Sequence, residues 1–188
     1  MESYINITLL PDPEFPAPML MNALFAKLHR VLVKIKSDGI GISFPSVNEK
    51  KPTLGDQLRL HGTAVALQNL QAQNWLQGMR DHLETSEIEQ VPANAQHRQI
   101  KRVQVKSSAE RLRRRYSKRH QGVTEQDAAE LIPITVEKRL TQPYLQLKSE
   151  SSGQSFRLFL QHQPPQAEAV AGAFNCYGIS QTATIPWF

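Results

Sequence analysis

Residues 17–36 read APMLMNALFAKLHRVLVKIK, and this stretch decides the fold of the first half of the chain. Its apolar residues recur every three or four positions, which predicts an amphipathic helix with one face in a core. Those residues are Leu20, Met21, Leu24, Phe25, Leu28, Val31, Leu32 and Ile35. A strand-like run precedes this helix at 4–10, and two more follow it at 39–45 and 57–63.

A second helix is predicted from Ala64 to about Met79, and a weaker strand follows at 88–91. The predicted order is therefore βαββαβ, the pattern of a ferredoxin-like fold. Because that fold carries many functions, it identifies none of them. The expected fold class is α+β. We expect this ferredoxin-like domain to be followed by a C-terminal α+β domain.

The stretch PANAQH at 92–97 is a plausible linker, so we expect domains at 1–94 and 95–188. The second domain should contain a basic helix and one further helix among several strands. Its predicted strands lie at 98–107, 144–149, 155–162 and 174–180, and its predicted helices at 109–120 and 125–132.

The composition limits the classes of protein to which this chain can belong. Of the 188 residues, 40% are hydrophobic, which argues for a globular chain and against a disordered one. No apolar run is long enough to span a membrane, and no signal peptide is recognisable, so we expect a cytoplasmic protein. The single cysteine, Cys176, excludes an internal disulfide and a multi-cysteine metal site, and is expected to be a small buried residue.

Positive charge is concentrated in one segment. Ten of the 22 Lys and Arg residues lie between His97 and His120, with only one of the 17 acidic residues, Glu110. The rest of the chain is slightly acidic, although the net charge is +5. Such a distribution is typical of a nucleic-acid interface.

The basic helix has four possible explanations: a nuclear-import signal, a membrane-surface helix, a solvated face, or a nucleic-acid contact. A helical wheel places five cations in one stripe, and arginine predominates, which favours two-point binding of phosphate. These five are Arg111, Arg114, Arg115, Lys118 and Arg119. On the preceding strand, Arg102 and Gln104 are two residues apart and should share a face, where they could read neighbouring purines.

Other candidate residues are ambiguous when taken singly. His29 lies between Phe25 and Leu32 on the first helix, where a lone histidine is usually a core-edge residue. Ser149 and Ser151 precede Gly153 in a stretch that resembles a turn. The chain shows no metal-ligand spacing, no P-loop and no dinucleotide-binding glycine pattern.

Six segments together resemble a known family. They are LPDPEFPAPMLMNALFAKLH, GISFP, RVQVKSSAERLRRRYSKRH, SSGQSFRLF, CYGIS and the terminal PWF. In order and over nearly the whole chain, they resemble the type I-F CRISPR repeat-processing endoribonucleases, the Csy branch of the Cas6 family. The resemblance implies a bacterial enzyme that binds the hairpin of the CRISPR repeat transcript through an arginine-rich helix. It also implies one cut at the 3′ base of the stem without metal or other cofactor, after which the enzyme stays on the crRNA with the other subunits of the surveillance complex.

The resemblance assigns a role to each matching residue. His29 takes the position of the catalytic histidine, Ser149 that of the serine holding the 2′-OH, Ser151 that of its support, and Tyr177 that of the residue orienting the histidine. The RNA contacts fall on the two base readers Arg102 and Gln104, the stacking residue Phe156, and Arg114, Arg115, Arg119 and His120 of the helix. Lys118 stands where arginine is expected, so two-point phosphate binding is doubtful there.

This assignment gives a simple mechanism with one open step. A histidine that deprotonates and aligns the 2′-OH would yield a 2′,3′-cyclic phosphate and a 5′-OH. The sequence does not decide whether His29 acts as base or as acid. Two alternatives are a non-catalytic RNA-hairpin-binding subunit of a CRISPR complex and a DNA-binding regulator. The presence of His29, Ser149 and Tyr177 together favours the enzyme.

Overall fold

The computed structural model describes residues 1–104, 109–120, 122, 124–133, 140–150 and 152–188. Two compact units make up the chain, one of Met1–Arg102 with Gln142–Phe188 and one of Val103–Thr141. Sheets and helices occur together, as the α+β class requires. The predicted division at residue 94 stays a prediction. Ser151 and residues 105–107 of the predicted strand 98–107 lie outside the described residues.

The first unit begins with a sheet covered by helices. Its elements are β1 (Ser3–Leu9), α1 (Ala17–Lys34), β2 (Gly41–Ser43), β3 (Gln57–Gly62), α2 (Ala64–Ala72), β4 (Leu83–Thr85) and β5 (Glu89–Gln90). The sheet order is β2-β3-β1-β4, every pairing in it is antiparallel, and β5 also pairs with β1. Ile5 and Ile42 both pair with Leu60, which sets their side chains on the core face.

The remaining strands of this unit complete its core. These are β6 (Gln96–Arg98), β7 (Ile100–Val103), β8 (Tyr144–Lys148), β9 (Ser155–His162) and β10 (Ile185–Trp187). They form a β10-β6 pair and a three-stranded sheet of order β7-β9-β8. Leu145, Leu147, Leu158 and Leu160 point inward from β8 and β9 and join the same hydrophobic core as α1.

The main helix agrees closely with its prediction. Pro16 precedes α1 with an extended backbone, and the helix ends at Lys34, just before Lys36 adopts a positive φ of 51°. Its predicted apolar face is buried, and Leu24, Phe25 and Leu28 have no exposed surface. The face that enters the core therefore fixes which side chains remain at its edge, and His29 is one of them.

The structure corrects several local predictions. The second helix ends at Ala72 instead of Met79, because Asn74 adopts a positive φ of 50° that a helix cannot continue. Strand β4 was missed because only its first residue, Leu83, is buried. The predicted strand 174–180 is a turn, in which Gly178 has a φ of 69° and the Gly178 N–H donates to the Asn175 carbonyl.

The described residues of the second unit include the helices α3 (Ala109–Arg119) and α4 (Glu125–Leu131). Thr124 caps α4 through a reciprocal pair of hydrogen bonds with Asp127. The side chain of Arg113 on α3 donates to the Ile132 carbonyl at 2.9 Å, at the end of α4. In the part of the chain that the structure describes, no helix has both the length and the apolar character needed to cross a bilayer.

Two histidines, His61 and His162, are buried in the first unit. Burial lowers the pKa of His61 to about 3, although its Nε2 lies 2.8 Å from the Ser43 hydroxyl. Burial also lowers the pKa of His162 to about 4, with a smaller effect from the nearby Arg98 guanidinium. Neither ring nitrogen of His162 has a hydrogen-bond partner among the described residues, and its ring contacts Phe44 and Trp187.

We therefore expect the free energy of unfolding to decrease as the pH is lowered below about 6.5, the ordinary pKa of histidine. A neutral buried histidine opposes protonation in the folded state, whereas the unfolded chain takes up the proton, so stability is complete above that pH and is lost below it. At pH 5 each histidine should cost about 2 kcal/mol. The free energy of unfolding, measured with denaturant at pH 8 and at pH 5, should decrease less in His162→Phe than in the parent protein. An equal loss in both proteins would contradict the role of His162.

Candidate active site and nucleic-acid interface

A groove in the first unit brings together most of the predicted catalytic residues. It has a volume of about 730 Å³ and is lined by α1, the end of β8, the β8-β9 loop, β9 and the turn at 174–180. Its lining residues are Ala26, His29, Arg30, Val33, Leu147, Lys148, Ser149, Glu150, Gly153, Phe156 and Tyr177. Three predicted catalytic residues and the predicted stacking residue thus share one cavity, although they are far apart in sequence.

His29 is held in one orientation by the backbone of a distant segment. Its Nδ1 lies 2.9 Å from the carbonyl oxygen of Cys176. A carbonyl accepts and never donates, so Nδ1 carries the hydrogen and donates it. In the neutral ring, Nε2 is then the unprotonated nitrogen, which is the one able to take a proton from a substrate.

Tyr177 covers one face of the His29 ring. The two ring centroids are 4.1 Å apart and the planes differ by 2°, which is a stacked arrangement. The Tyr177 ring is also nearly parallel to that of Phe25, at 6.4 Å and 7°. Burial raises the pKa of Tyr177, as does Cys176, whereas Arg102 opposes the rise. The phenol is therefore neutral at physiological pH, and its ring restrains the histidine.

Ser149 opens the loop that joins β8 to β9. Its N–H donates to the Gln154 carbonyl at 2.9 Å, and its own carbonyl accepts from the Gly153 N–H at 2.8 Å. Gly153 has a φ of 69°, which a residue with a side chain adopts with strain, so glycine suits this turn. These two hydrogen bonds and the glycine fix the start of the loop, where Ser149 lines the groove with His29.

Arg102 and Phe156 lie close together on neighbouring strands. The guanidinium carbon of Arg102 is 5.9 Å from the centroid of the Phe156 ring, and β7 is hydrogen-bonded to β9. That distance is within cation–π range and gives a partly buried aromatic ring a charged neighbour. Phe156 contacts the hydrophobic core and also lines the groove, as a stacking platform for a base would.

The cationic stripe predicted on the basic helix is exposed in the second unit. Arg111, Arg114, Arg115, Lys118 and Arg119 are all exposed on α3, whereas Leu112, Arg113, Tyr116 and Ser117 are partly buried. The helix therefore separates cations that face solvent from Arg113, which is bonded to the Ile132 carbonyl. The five cations of the predicted stripe are therefore all exposed, and the acidic Glu110 is exposed one turn before Arg114.

Two further predicted contacts also lie in this unit. Gln104 is exposed one residue beyond the end of β7, where the prediction had placed it inside the strand. His120 is exposed at the end of α3, and its ring centroid is 4.4 Å from that of Tyr116. The RNA-contacting role of each residue stays a prediction.

Several contributors to the site escaped sequence reasoning. Phe25 was predicted as core alone, yet it also lies parallel to Tyr177. Cys176 was expected to be buried but is only partly buried, and it contributes its carbonyl, a backbone group that no sequence pattern reveals. Arg30 and Lys148 line the groove and stand next to His29 and Ser149 in sequence, which was the one available signal. Among the described residues, no three His, Cys, Asp or Glu side chains are grouped to hold a metal ion.

His29 and Ser149 line one groove, and the chain carries an exposed arginine-rich stripe, a combination that is typical of proteins that act on nucleic acids. A family model described as CRISPR-associated protein (Cas_Csy4) matches residues 4–188. The chain belongs to this family, as the resemblance of its sequence motifs predicted.

Two relatives support the same conclusion. Both are named CRISPR-associated endonuclease Cas6/Csy4, one from Pseudomonas aeruginosa (strain UCBPP-PA14) and one from Escherichia coli (strain UTI89 / UPEC). Each is 48% identical to this chain over 188 residues, which is the full length of both proteins compared. The predicted family is confirmed, and both relatives are named endonucleases, the broader class to which the predicted endoribonuclease belongs.

The stacking geometry predicts which part of Tyr177 matters. Tyr177→Phe keeps the ring parallel to His29, so its single-turnover cleavage of a repeat RNA should stay within about threefold of the parent rate. Tyr177→Ala removes the ring and should slow cleavage by roughly tenfold to a hundredfold, as small misplacements of catalytic groups do. If Phe slowed cleavage as much as Ala, the hydroxyl and not the stacked ring would be the contributor.

The exposed stripe predicts a salt-dependent contribution from Arg115. Arg115→Gln should lower the slope of log Kd for hairpin RNA against log salt by about 0.7–0.9, the value for one phosphate contact. Lys50→Gln removes the same charge from an exposed residue between β2 and β3 and should leave the slope unchanged. Equal effects of both variants would indicate a response to net charge alone.

Proposed function

We propose that this chain is a metal-independent endoribonuclease that binds the hairpin of CRISPR repeat RNA and cuts at the 3′ base of its stem. The enzyme remains bound to the crRNA product, in a complex with the other type I-F subunits. The observation that carries the proposal is the orientation of His29 in the groove that also contains Ser149. This arrangement suits proton transfer, which a subunit that only binds RNA would not need.

The chemistry follows from the groups that the groove presents. Cleavage starts when the 2′-OH of the nucleotide before the scissile phosphate loses its proton and its oxygen attacks that phosphorus in line. The P–O5′ bond breaks, the leaving oxygen takes up a proton, and the products are a 2′,3′-cyclic phosphate and a 5′-OH. Nε2 of His29 takes or gives one of these protons, and Ser149 holds the 2′-OH.

RNA recognition combines two kinds of contact. Arg102 and Gln104 read purines near the foot of the stem, and Phe156 stacks on the terminal base pair. The stripe on α3 neutralises stem phosphates together with His120. A short stem with an open end exposes base edges that the deep groove of a long RNA helix hides.

The proposed architecture places these contacts in two domains. Residues 1–94 form a ferredoxin-like domain, which the antiparallel order β2-β3-β1-β4 supports. Residues 95–188 form the RNA-binding domain with the arginine-rich helix, whose α3 carries the exposed cations. Ser151 supports Ser149, and the protein acts in the cytoplasm. These assignments follow the family resemblance.

Replacing His29 tests the proposal directly. We expect His29→Ala to abolish cleavage of a repeat hairpin in EDTA while Kd for the RNA changes less than about threefold. His97→Ala is the matched control, because His97 is also partly buried but does not line the groove, and it should cleave at the parent rate. A His29→Ala protein that loses RNA binding would mean that His29 is structural.

The substrate itself tests the mechanism. A hairpin with a 2′-deoxy nucleotide before the scissile phosphate should bind normally and stay uncut. Cleavage of that RNA would exclude the 2′-OH as the nucleophile. If the parent protein bound an all-ribose hairpin in EDTA without cutting it, the chain would be a binding subunit or would require a metal.

A further inference from the structure

The turn at 174–180 presents the carbonyl that His29 contacts. Two backbone hydrogen bonds close it, from Asn175 N–H to the Ile179 carbonyl at 3.0 Å and from Gly178 N–H to the Asn175 carbonyl at 2.8 Å. Cys176 and Tyr177 are at its tip, so its shape sets both the carbonyl that accepts from Nδ1 and the ring that stacks on the imidazole.

The Asn175 side chain closes the turn from within. Its Oδ1 accepts from the Tyr177 N–H at 2.8 Å and from the Ile179 N–H at 3.4 Å. A side-chain amide oxygen that accepts from the backbone two residues ahead stabilises such a turn. Asn175 thus precedes Cys176 and accepts a hydrogen bond from the residue that follows it, so its bonds bracket Cys176. The hydrogen bond of His29 is made to the Cys176 carbonyl and not to Asn175.

The turn is fastened to the body of the first unit at both ends. The Phe174 N–H donates to the Asp38 carbonyl at 2.8 Å, and the Ile42 N–H donates to the Gly178 carbonyl at 3.0 Å. A Cβ added to Gly178 would lie 2.6 Å from Cγ2 of Ile42, at a φ of 69° that side chains rarely adopt. These contacts fix the two ends of the turn, so the shape of its tip at Cys176 and Tyr177 depends on the hydrogen bonds within the turn.

We infer that Asn175 is a positioning residue that fixes the tautomer of His29 through the Cys176 carbonyl. Its Oδ1 holds the turn in the shape that aims this carbonyl at Nδ1. Without that acceptor the turn relaxes, and the hydrogen bond from Nδ1 to the Cys176 carbonyl weakens. A fraction of the neutral His29 rings then carries its proton on Nε2 instead of Nδ1. The inference rests on the proposed catalytic role of His29, but the tautomer can be measured without any reaction.

The first measurement is the 15N NMR spectrum of the His29 ring in RNA-free protein at a pH where the ring is neutral. The parent should show a single Nδ1–H tautomer. Asn175→Ala should show a mixture that includes the Nε2–H form, and Asn175→Asp, which keeps the acceptor oxygen, should restore the parent spectrum. Because no substrate is present, this result stands even if the parent protein proves unable to cleave RNA.

The second measurement is single-turnover cleavage together with Kd for the same hairpin. Asn175→Ala should cleave roughly tenfold to a hundredfold more slowly with Kd unchanged within about twofold, and Asn175→Asp should recover most of the rate. Asn48→Ala is the matched control. Its Oδ1 makes the same kind of turn, accepting from the Lys50 and Lys51 N–H groups, but Asn48 does not line the groove.

The outcomes separate positioning from simple stabilisation. A parent-like His29 spectrum and cleavage rate in folded Asn175→Ala would overturn the inference. So would a loss that Asn175→Asp fails to repair, because the acceptor oxygen would then be irrelevant. If Asn175→Ala does not fold, Gly178→Ala strains the same turn and takes its place. In Gly178→Ala, a mixture of tautomers and slower cleavage would support the inference, whereas a spectrum and a rate like those of the parent would overturn it.

Discussion

The burial of one face of α1 is the constraint on which the site depends. Leu24, Phe25 and Leu28 have no exposed surface, and each such side chain stabilises the fold by about 1.5–3 kcal/mol relative to an exposed position. Rotating the helix would expose this face, so its orientation is fixed. His29 follows Leu28 and must then lie at the edge of the core, facing the groove.

The features that follow from periodicity could be predicted from the sequence. The bounds of α1 and the order of the first strands follow from apolar spacing, because a buried face repeats with the pitch of its element. The end of α2 could not be found this way, because Trp75 and Leu76 remain packed against the core beyond the helix. The error at 174–180 has the same origin, since Phe174 and Ile179 are buried by a turn.

The candidate site shows the same limit. Side-chain roles on His29 and Tyr177 came from motifs, and the structure places both rings in one stack. The partner of Nδ1 is the backbone of Cys176, 147 residues away, and a carbonyl leaves no trace in residue identity. Groups of this kind become visible only when tertiary structure is known. Phe25 has two contacts of different kinds, and its position in an apolar stripe predicts only the one with the core.

The cations of the chain divide according to the contacts they make. Arg59 donates to Asn6 at 2.7 Å and to the Phe188 carbonyl at 2.9 Å, and its guanidinium carbon lies 4.0 Å from the Phe188 ring centroid. Arg98 bonds Glu49 at 2.7 Å and lies over the Trp187 ring. These arginines connect segments of the first unit. Charge concentration alone did not separate Arg98 from the exposed cations on α3, because Arg98 lies in the same basic segment, whereas helical phase identified the exposed stripe within α3.

A backbone carbonyl is a suitable partner for a histidine in the proposed reaction. In that reaction the RNA would supply its own nucleophile, so the protein would only have to orient groups and move protons. A carboxylate at Nδ1 would fix the same tautomer but add a negative charge beside the ring and close to a phosphate. The Cys176 carbonyl fixes the ring without that charge, and the stacked Tyr177 limits its rotation. Orientation at His29 is therefore obtained from main chain and packing, and Arg30 and Lys148 line the groove in which the proposed reaction would place the phosphate.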